Sequence, residues 1–139
     1  MRMIYLALLS IFICTGTASA ASDFNFISIA TMKDNLAANK PMIILDIQVK
    51  DEFAQHHIKG SVATYAYPVK STEEEARLDN ILTQYNASHE DIVIVCPRGA
   101  GGAKRAYKYL KANNVPEEKL LILEDGMQGW PHQEYVESN

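Results

Sequence analysis

The chain has 139 residues, 47% apolar and 22% charged, which suits one globular domain and excludes a disordered or collagen-like polypeptide. Lys and Arg total 13 against 17 Asp and Glu, so the net charge of −4 leaves no basic excess to neutralise a nucleic-acid backbone. Two cysteines are too few for a disulfide-stapled scaffold or a four-cysteine zinc site.

Residues 1–20 read as a secretory signal peptide. Met1-Arg2 is a short positive start, and Met3 to Cys14 is almost wholly apolar yet too short to span a bilayer. Ala18-Ser19-Ala20 supplies the small residues a signal peptidase reads, which places cleavage after Ala20. Ile13 before Cys14 argues against a lipoprotein anchor, and no second long apolar run follows, so no membrane association is expected after cleavage. The remaining chain, 21–139, forms the single domain and is expected in a periplasm or outside the cell. Cleavage removes Arg2 and Cys14, taking the charge from −4 to about −5 and leaving Cys96 as the one thiol. A lone cysteine in an oxidising compartment is either inert and buried or reactive.

Downstream, strands and helices alternate. Phe26 to Ile29 reads as an edge strand, and Thr31 as the cap of a helix to Ala38 with Met32, Leu36 and Ala37 inward. Met42 to Leu45 is a continuous apolar run, the mark of a strand buried on both faces, and it ends at Asp46. A short helix over Asp51–His56 and a strand over Val62–Tyr65 follow. Ser71 and Thr72 head capping-box patterns for a helix to Tyr85, with Ala76, Leu78, Ile81 and Leu82 as its apolar stripe. The acidic run Glu73-Glu74-Glu75 suits a helix start rather than a cation site. Ile92 to Val95 is the strongest strand signal and runs straight into Cys96. Beyond a glycine-rich turn, Ala103, Ala106, Tyr107 and Leu110 recur at helical spacing as a core-facing stripe. Leu120 to Leu123 gives one more buried strand, and the tail from His132 (132–139) reads as loosely ordered. This pattern specifies an α/β fold with a central, mostly parallel sheet and helices on both faces.

The chemistry concentrates in Cys96-Pro97-Arg98-Gly99-Ala100-Gly101-Gly102-Ala103. Cys96 stands at the carboxyl end of a strand, where open parallel sheets bind ligands, and just before a helix N-terminus whose free N–H groups favour a thiolate. The glycines clear space above the sulfur and let successive N–H groups form an anion-binding nest. Arg98 adds a planar set of donors. Cys96 is therefore the candidate nucleophile, exposed in a cup of main-chain amides, and Arg98, Gly99, Ala100, Gly101, Gly102 and Ala103 are the candidate substrate-binding set. Lys104, Arg105, Lys108 and Lys111 add local positive charge. Lys104, near the helix start, is the one whose position fits a solvated face least well; Arg105, Lys108 and Lys111 read as that face. His56-His57, His89 and His132 lack metal-ligand spacing, so no metal and no cofactor are expected.

With these residues in view, the sequence resembles the single-domain rhodanese family. Ile44-Leu45-Asp46, Asp51-Glu52-Phe53 and His57-Ile58-Lys59-Gly60-Ser61 are similar to its N-terminal signature. Val95-Cys96 with the glycine loop is similar to its active-site strand, and Leu121 to Pro131 to its closing strand and Gly…Trp element. The resemblance implies a sulfurtransferase that forms a persulfide on Cys96. Its partners would be a small anionic sulfur donor, such as thiosulfate or a polysulfide, and a thiol or cyanide acceptor. Three departures stand out. The family's loop arginine falls at Gly101, the arginine of its Asp-x-Arg element falls at Gln48, and the loop is one residue longer. Asp46 then reads as a structural acceptor. A longer loop is similar to those of dual-specificity phosphatases and arsenate reductases, but their Cys-x5-Arg pattern would need arginine at Gly102 and histidine at Val95. The alternatives are a non-catalytic binding or sulfur-carrier module and phosphatase or arsenate-reductase chemistry.

Overall fold

The apolar runs at 42–45 and 92–95 become neighbouring central strands. The computed structural model describes residues 23–139; the expected leader, with Cys14, lies outside the described residues. Chain order is β1 (Phe26–Ile27), α1 (Ile29–Ala37), β2 (Met42–Asp46), α2 (Lys50–Gln55), β3 (His57–Ile58), β4 (Val62–Ala63), α3 (Thr72–Ala76), α4 (Asp79–Ser88), β5 (Asp91–Val95), α5 (Gly101–Ala112), β6 (Leu120–Leu123) and β7 (Val136–Glu137). Among the described residues, β1-β6-β5-β2-β4 form a five-stranded sheet in which every pairing is parallel. β2 and β5 run in register from Met42 opposite Asp91 to Asp46 opposite Val95.

A parallel sheet has to be covered on both faces, and the alternation along the strands shows how. Ile43 and Leu45 of β2 and Ile92 and Ile94 of β5 pack with Ile81 and Tyr85 of α4 and the α5 stripe Ala103, Ala106, Tyr107 and Leu110. Ile44, Val93 and Val95 point the other way and pack with Met32 of α1, Ile58, Met127 and Trp130. The chain leaves β2 for β4 on one side and returns to β5 on the other. Strand order therefore reverses between β2 and β5, and Cys96 emerges at that reversal, where open α/β sheets bind ligands. No described helix is long and apolar enough to cross a membrane.

Four local expectations change. The cap of α1 is Ser28, whose extended backbone lets its Oγ accept from Thr31 N at 3.1 Å, and Ala37 is exposed. β1 and β4 are only two residues long, because their neighbours leave the sheet to start α1 and the Thr64–Tyr67 connector. The helix expected over 72–85 is two helices. Ser71 and Glu74 do form a capping box, but i→i+3 bonds at Arg77 and Leu78 tighten the chain and turn the buried Leu78 into the core. The tail from His132 is tied down: a 3₁₀ turn over Gln133–Tyr135 leads into β7, which pairs antiparallel with β3. Asn139 N donates to Ala54 O at 2.9 Å, so the last residue is also held.

Candidate active site

Cys96 follows β5 directly, and its side chain is only 2% exposed. The exposed thiol expected from the sequence is instead the floor of a pocket of about 90 Å³, lined by Tyr67, Cys96, Pro97, Arg98, Ala100, Gly101, Gly102 and Arg105. The reason is the loop's path. It folds back over the strand end, and the Ala100 N–H donates to Cys96 Sγ at 3.2 Å.

The start of the loop is fastened to the turn after β6, backbone against backbone. Met127 N donates to Cys96 O at 2.8 Å and Gln128 N to Pro97 O at 2.9 Å. Gly126, at φ +58°, makes that approach feasible, since a Cβ there would lie 2.3 Å from Cys96 O. Gly99, at φ +67°, meets the same turn, and a Cβ on it would lie 2.8 Å from Asp125 N. The glycine of the closing Gly…Trp element is thus required by a packed contact with the Cys96 carbonyl.

Of the expected binding residues, Arg98, Ala100, Gly101 and Gly102 line the pocket. Gly99 serves the contact with the closing turn instead, and Ala103 is fully buried in the core beneath α5. Sequence reasoning missed Tyr67, Pro97 and Arg105. Tyr67 lies against Gly102, where a Cβ would come within 2.9 Å of its ring. The α5 cations, read as a group from sequence, divide. Lys104 and Lys108 sit over the Phe24 ring at 5.4 and 5.7 Å from its centroid, and Lys111 pairs with Glu117 at 2.6 Å. Arg105 alone among them turns into the Cys96 pocket. A signal for it existed: Arg105 follows Gly101 by four positions, so both lie on one helix face.

Asp46 is fully buried on the opposite face of the sheet end. Its Oδ1 accepts from Gln48 N at 2.8 Å and its Oδ2 from Gln48 Nε2 at 3.0 Å. Burial pushes its carboxyl up to about 6, against the two Gln48 hydrogen bonds that favour the charged form. With neutral Gln48 in the arginine position of the family pattern, only the smaller influence of His57 joins those hydrogen bonds, and burial outweighs them. His57 is also occupied. Its ring stacks on Phe53 at 3.8 Å, Nδ1 lies 2.8 Å from Phe53 O, and it does not line the Cys96 pocket.

Comparison with known proteins is consistent with this architecture. A rhodanese-like domain model matches residues 28–133. A rhodanese-like domain protein from Staphylococcus aureus is similar at 26% identity and TM-score 0.62, covering 84% of this chain and 99% of that one. A yeast protein tyrosine phosphatase of the rhodanese family is similar at 14% identity and TM-score 0.61, covering 84% and 94%. A thiosulfate sulfurtransferase from Pseudomonas aeruginosa shares 20% identity at TM-score 0.58; 84% of this chain aligns with only 20% of that one. No curated protein matches the sequence. A family match that runs from the cap of α1 to the 3₁₀ turn after Trp130, laid over this sheet order, establishes that the chain belongs to the rhodanese-like domain family.

Proposed function

We propose that this protein is an exported sulfurtransferase or sulfur carrier that works through a persulfide on Cys96. The observation that carries this reading is the Cys96 sulfur at the floor of a pocket of about 90 Å³, with a main-chain N–H at 3.2 Å and two arginines on its wall. A sulfur nucleophile needs donors aimed at the charge that develops, and a small anionic co-reactant needs fixed cations in a confined space. In the first half-reaction the Cys96 thiolate attacks the outer sulfur of thiosulfate. A new S–S bond forms, the old one breaks, and its electron pair leaves with sulfite. In the second, cyanide or a thiolate attacks the outer sulfur of the persulfide, and the Cys96 thiolate leaves with the bonding pair. The Ala100 N–H faces the Cys96 sulfur, which carries charge at the start of the first step and at the end of the second.

Intact mass after exposure to thiosulfate tests the reading. The protein gains one sulfur atom, the gain is absent in Cys96→Ser, and cyanide reverses it. A Cys96→Ser protein that still turned thiosulfate over would overturn the mechanism. A wild-type protein that accepts one sulfur but does not pass it on is a carrier module, and hydrolysis of a phosphate ester would transfer the site to the phosphatase reading. Export is tested by the N-terminus of the protein recovered from producing cells, expected at Ala21.

A further inference from the structure

We propose that Arg105 takes over the anion-holding task of the loop arginine that this chain lacks, gripping the sulfonate end of the donor, and that Gly101 is glycine so that the Arg105 guanidinium can occupy its place. The proposal rests on the reading of Cys96 as a sulfur-accepting nucleophile. A Cβ on Gly101 would lie 2.9 Å from Arg105 Nη1, 3.5 Å from Nη2 and 3.6 Å from Cζ, so the guanidinium lies directly over the position where the loop arginine would be attached. Arg105 Nε donates to Pro68 O at 2.9 Å, which fixes the plane of the group. Among the described residues neither Nη1 nor Nη2 has a hydrogen-bonded acceptor, so up to four N–H donors of this pocket-lining group are free for an anion. Glu74 feels the charge of Arg105 but makes no hydrogen bond or ion pair with it; its Oε2 accepts from Lys70 N at 2.6 Å and Ser71 N at 3.1 Å. Arg98 also lines the pocket, yet its side chain is exposed and carries no such anchor.

An anchored guanidinium loses little freedom on binding an anion, whereas a free one has to be ordered first. The consequence is a division of labour. The Cys96 thiolate attacks the outer sulfur of thiosulfate and forms the new S–S bond. The S–S bond to the sulfonate sulfur breaks, and sulfite departs with its electron pair while held by Arg105. A neutral sulfur donor makes no use of Arg105.

The test compares wild type, Arg105→Gln, Arg98→Gln and the double variant Arg105→Gln with Gly101→Arg, each checked for an unchanged melting temperature. Two readouts are taken: Cys96 alkylation by anionic iodoacetate relative to neutral iodoacetamide, and the rate of sulfite release from thiosulfate beside sulfur transfer from a neutral organic trisulfide. Arg105→Gln is expected to lower both the iodoacetate-to-iodoacetamide ratio and the thiosulfate rate about tenfold, as loss of a hydrogen-bonded charge does. The trisulfide rate moves less than about twofold, Arg98→Gln gives the smaller loss, and the double variant recovers most of the ratio. An unchanged ratio in Arg105→Gln, or equal losses with the charged and neutral donors, overturns the proposal. A wild-type protein that releases no sulfite while the ratio still falls in Arg105→Gln removes the sulfur-transfer reading and leaves Arg105 as the anion anchor.

Discussion

At the scale of single residues, three positions carry separable consequences. Gly126 combines φ +58° with a notional Cβ only 2.3 Å from Cys96 O, so Gly126→Ala strains the turn and pushes the Cys96 loop away. The expected cost is about 3 kcal/mol, read as a lower urea midpoint, with slower sulfuration of Cys96 in the protein that remains folded. Asp46 offers a pH test. Its folded carboxyl is raised from 3.8 to about 6, so between these values the folded state holds a proton that the unfolded state has lost. Stability is therefore highest at the acid end of the window and falls by about 2 to 3 kcal/mol as pH rises from about 4 to 6. Asp46→Asn removes that slope, and urea titrations at pH 4, 5, 6 and 7 read it directly. Arg105 is the third position, and its charge is legible only through the empty side-chain position at Gly101.

At the scale of elements, the sequence is informative where periodicity is long and silent where contacts are few. The α5 stripe Ala103, Ala106, Tyr107 and Leu110 is buried throughout, and the four-residue apolar runs of β2, β5 and β6 are strands in the places expected. Their periodicity reflects the face they bury, and tertiary context agrees with it. The break between α3 and α4 is not written in periodicity, because Leu78 keeps its inward place whether the axis bends or not. β7 is two residues long, too short for an alternating pattern, and only pairing with β3 defines it. Removing residues 136–139 unpairs Ile58 and uncovers the half-buried Val136 site. A loss of about 1 to 2 kcal/mol is expected in urea unfolding, with Cys96 alkylation unchanged because its loop is fastened elsewhere. The candidate loop was legible at Cys96, Arg98, Ala100, Gly101 and Gly102. Tyr67 was not, since a connector thirty residues away in sequence reaches the pocket only through the fold.

At the scale of the whole molecule, the charge is negative overall, yet the pocket carries Arg98 and Arg105. Near charges dominate once ions screen distances beyond about 10 Å, so the two arginines decide how a small anion experiences the pocket. Raising salt from about 0.02 to 0.3 M is expected to slow sulfuration by thiosulfate several-fold and to leave a neutral trisulfide unaffected. A rate with thiosulfate that rises with salt would mean the net charge governs approach instead. The contact between the Cys96 loop and the Gly126–Gln128 turn adds a temporal consequence. Synthesis proceeds from the N-terminus, and the segment that buttresses the Cys96 loop emerges some thirty positions after Cys96. Until that late segment arrives, the carbonyls of Cys96 and Pro97 lack their Met127 and Gln128 partners and β5 is an unfinished sheet edge. Ordering of the Cys96 loop is thereby coupled to the arrival of the turn after β6.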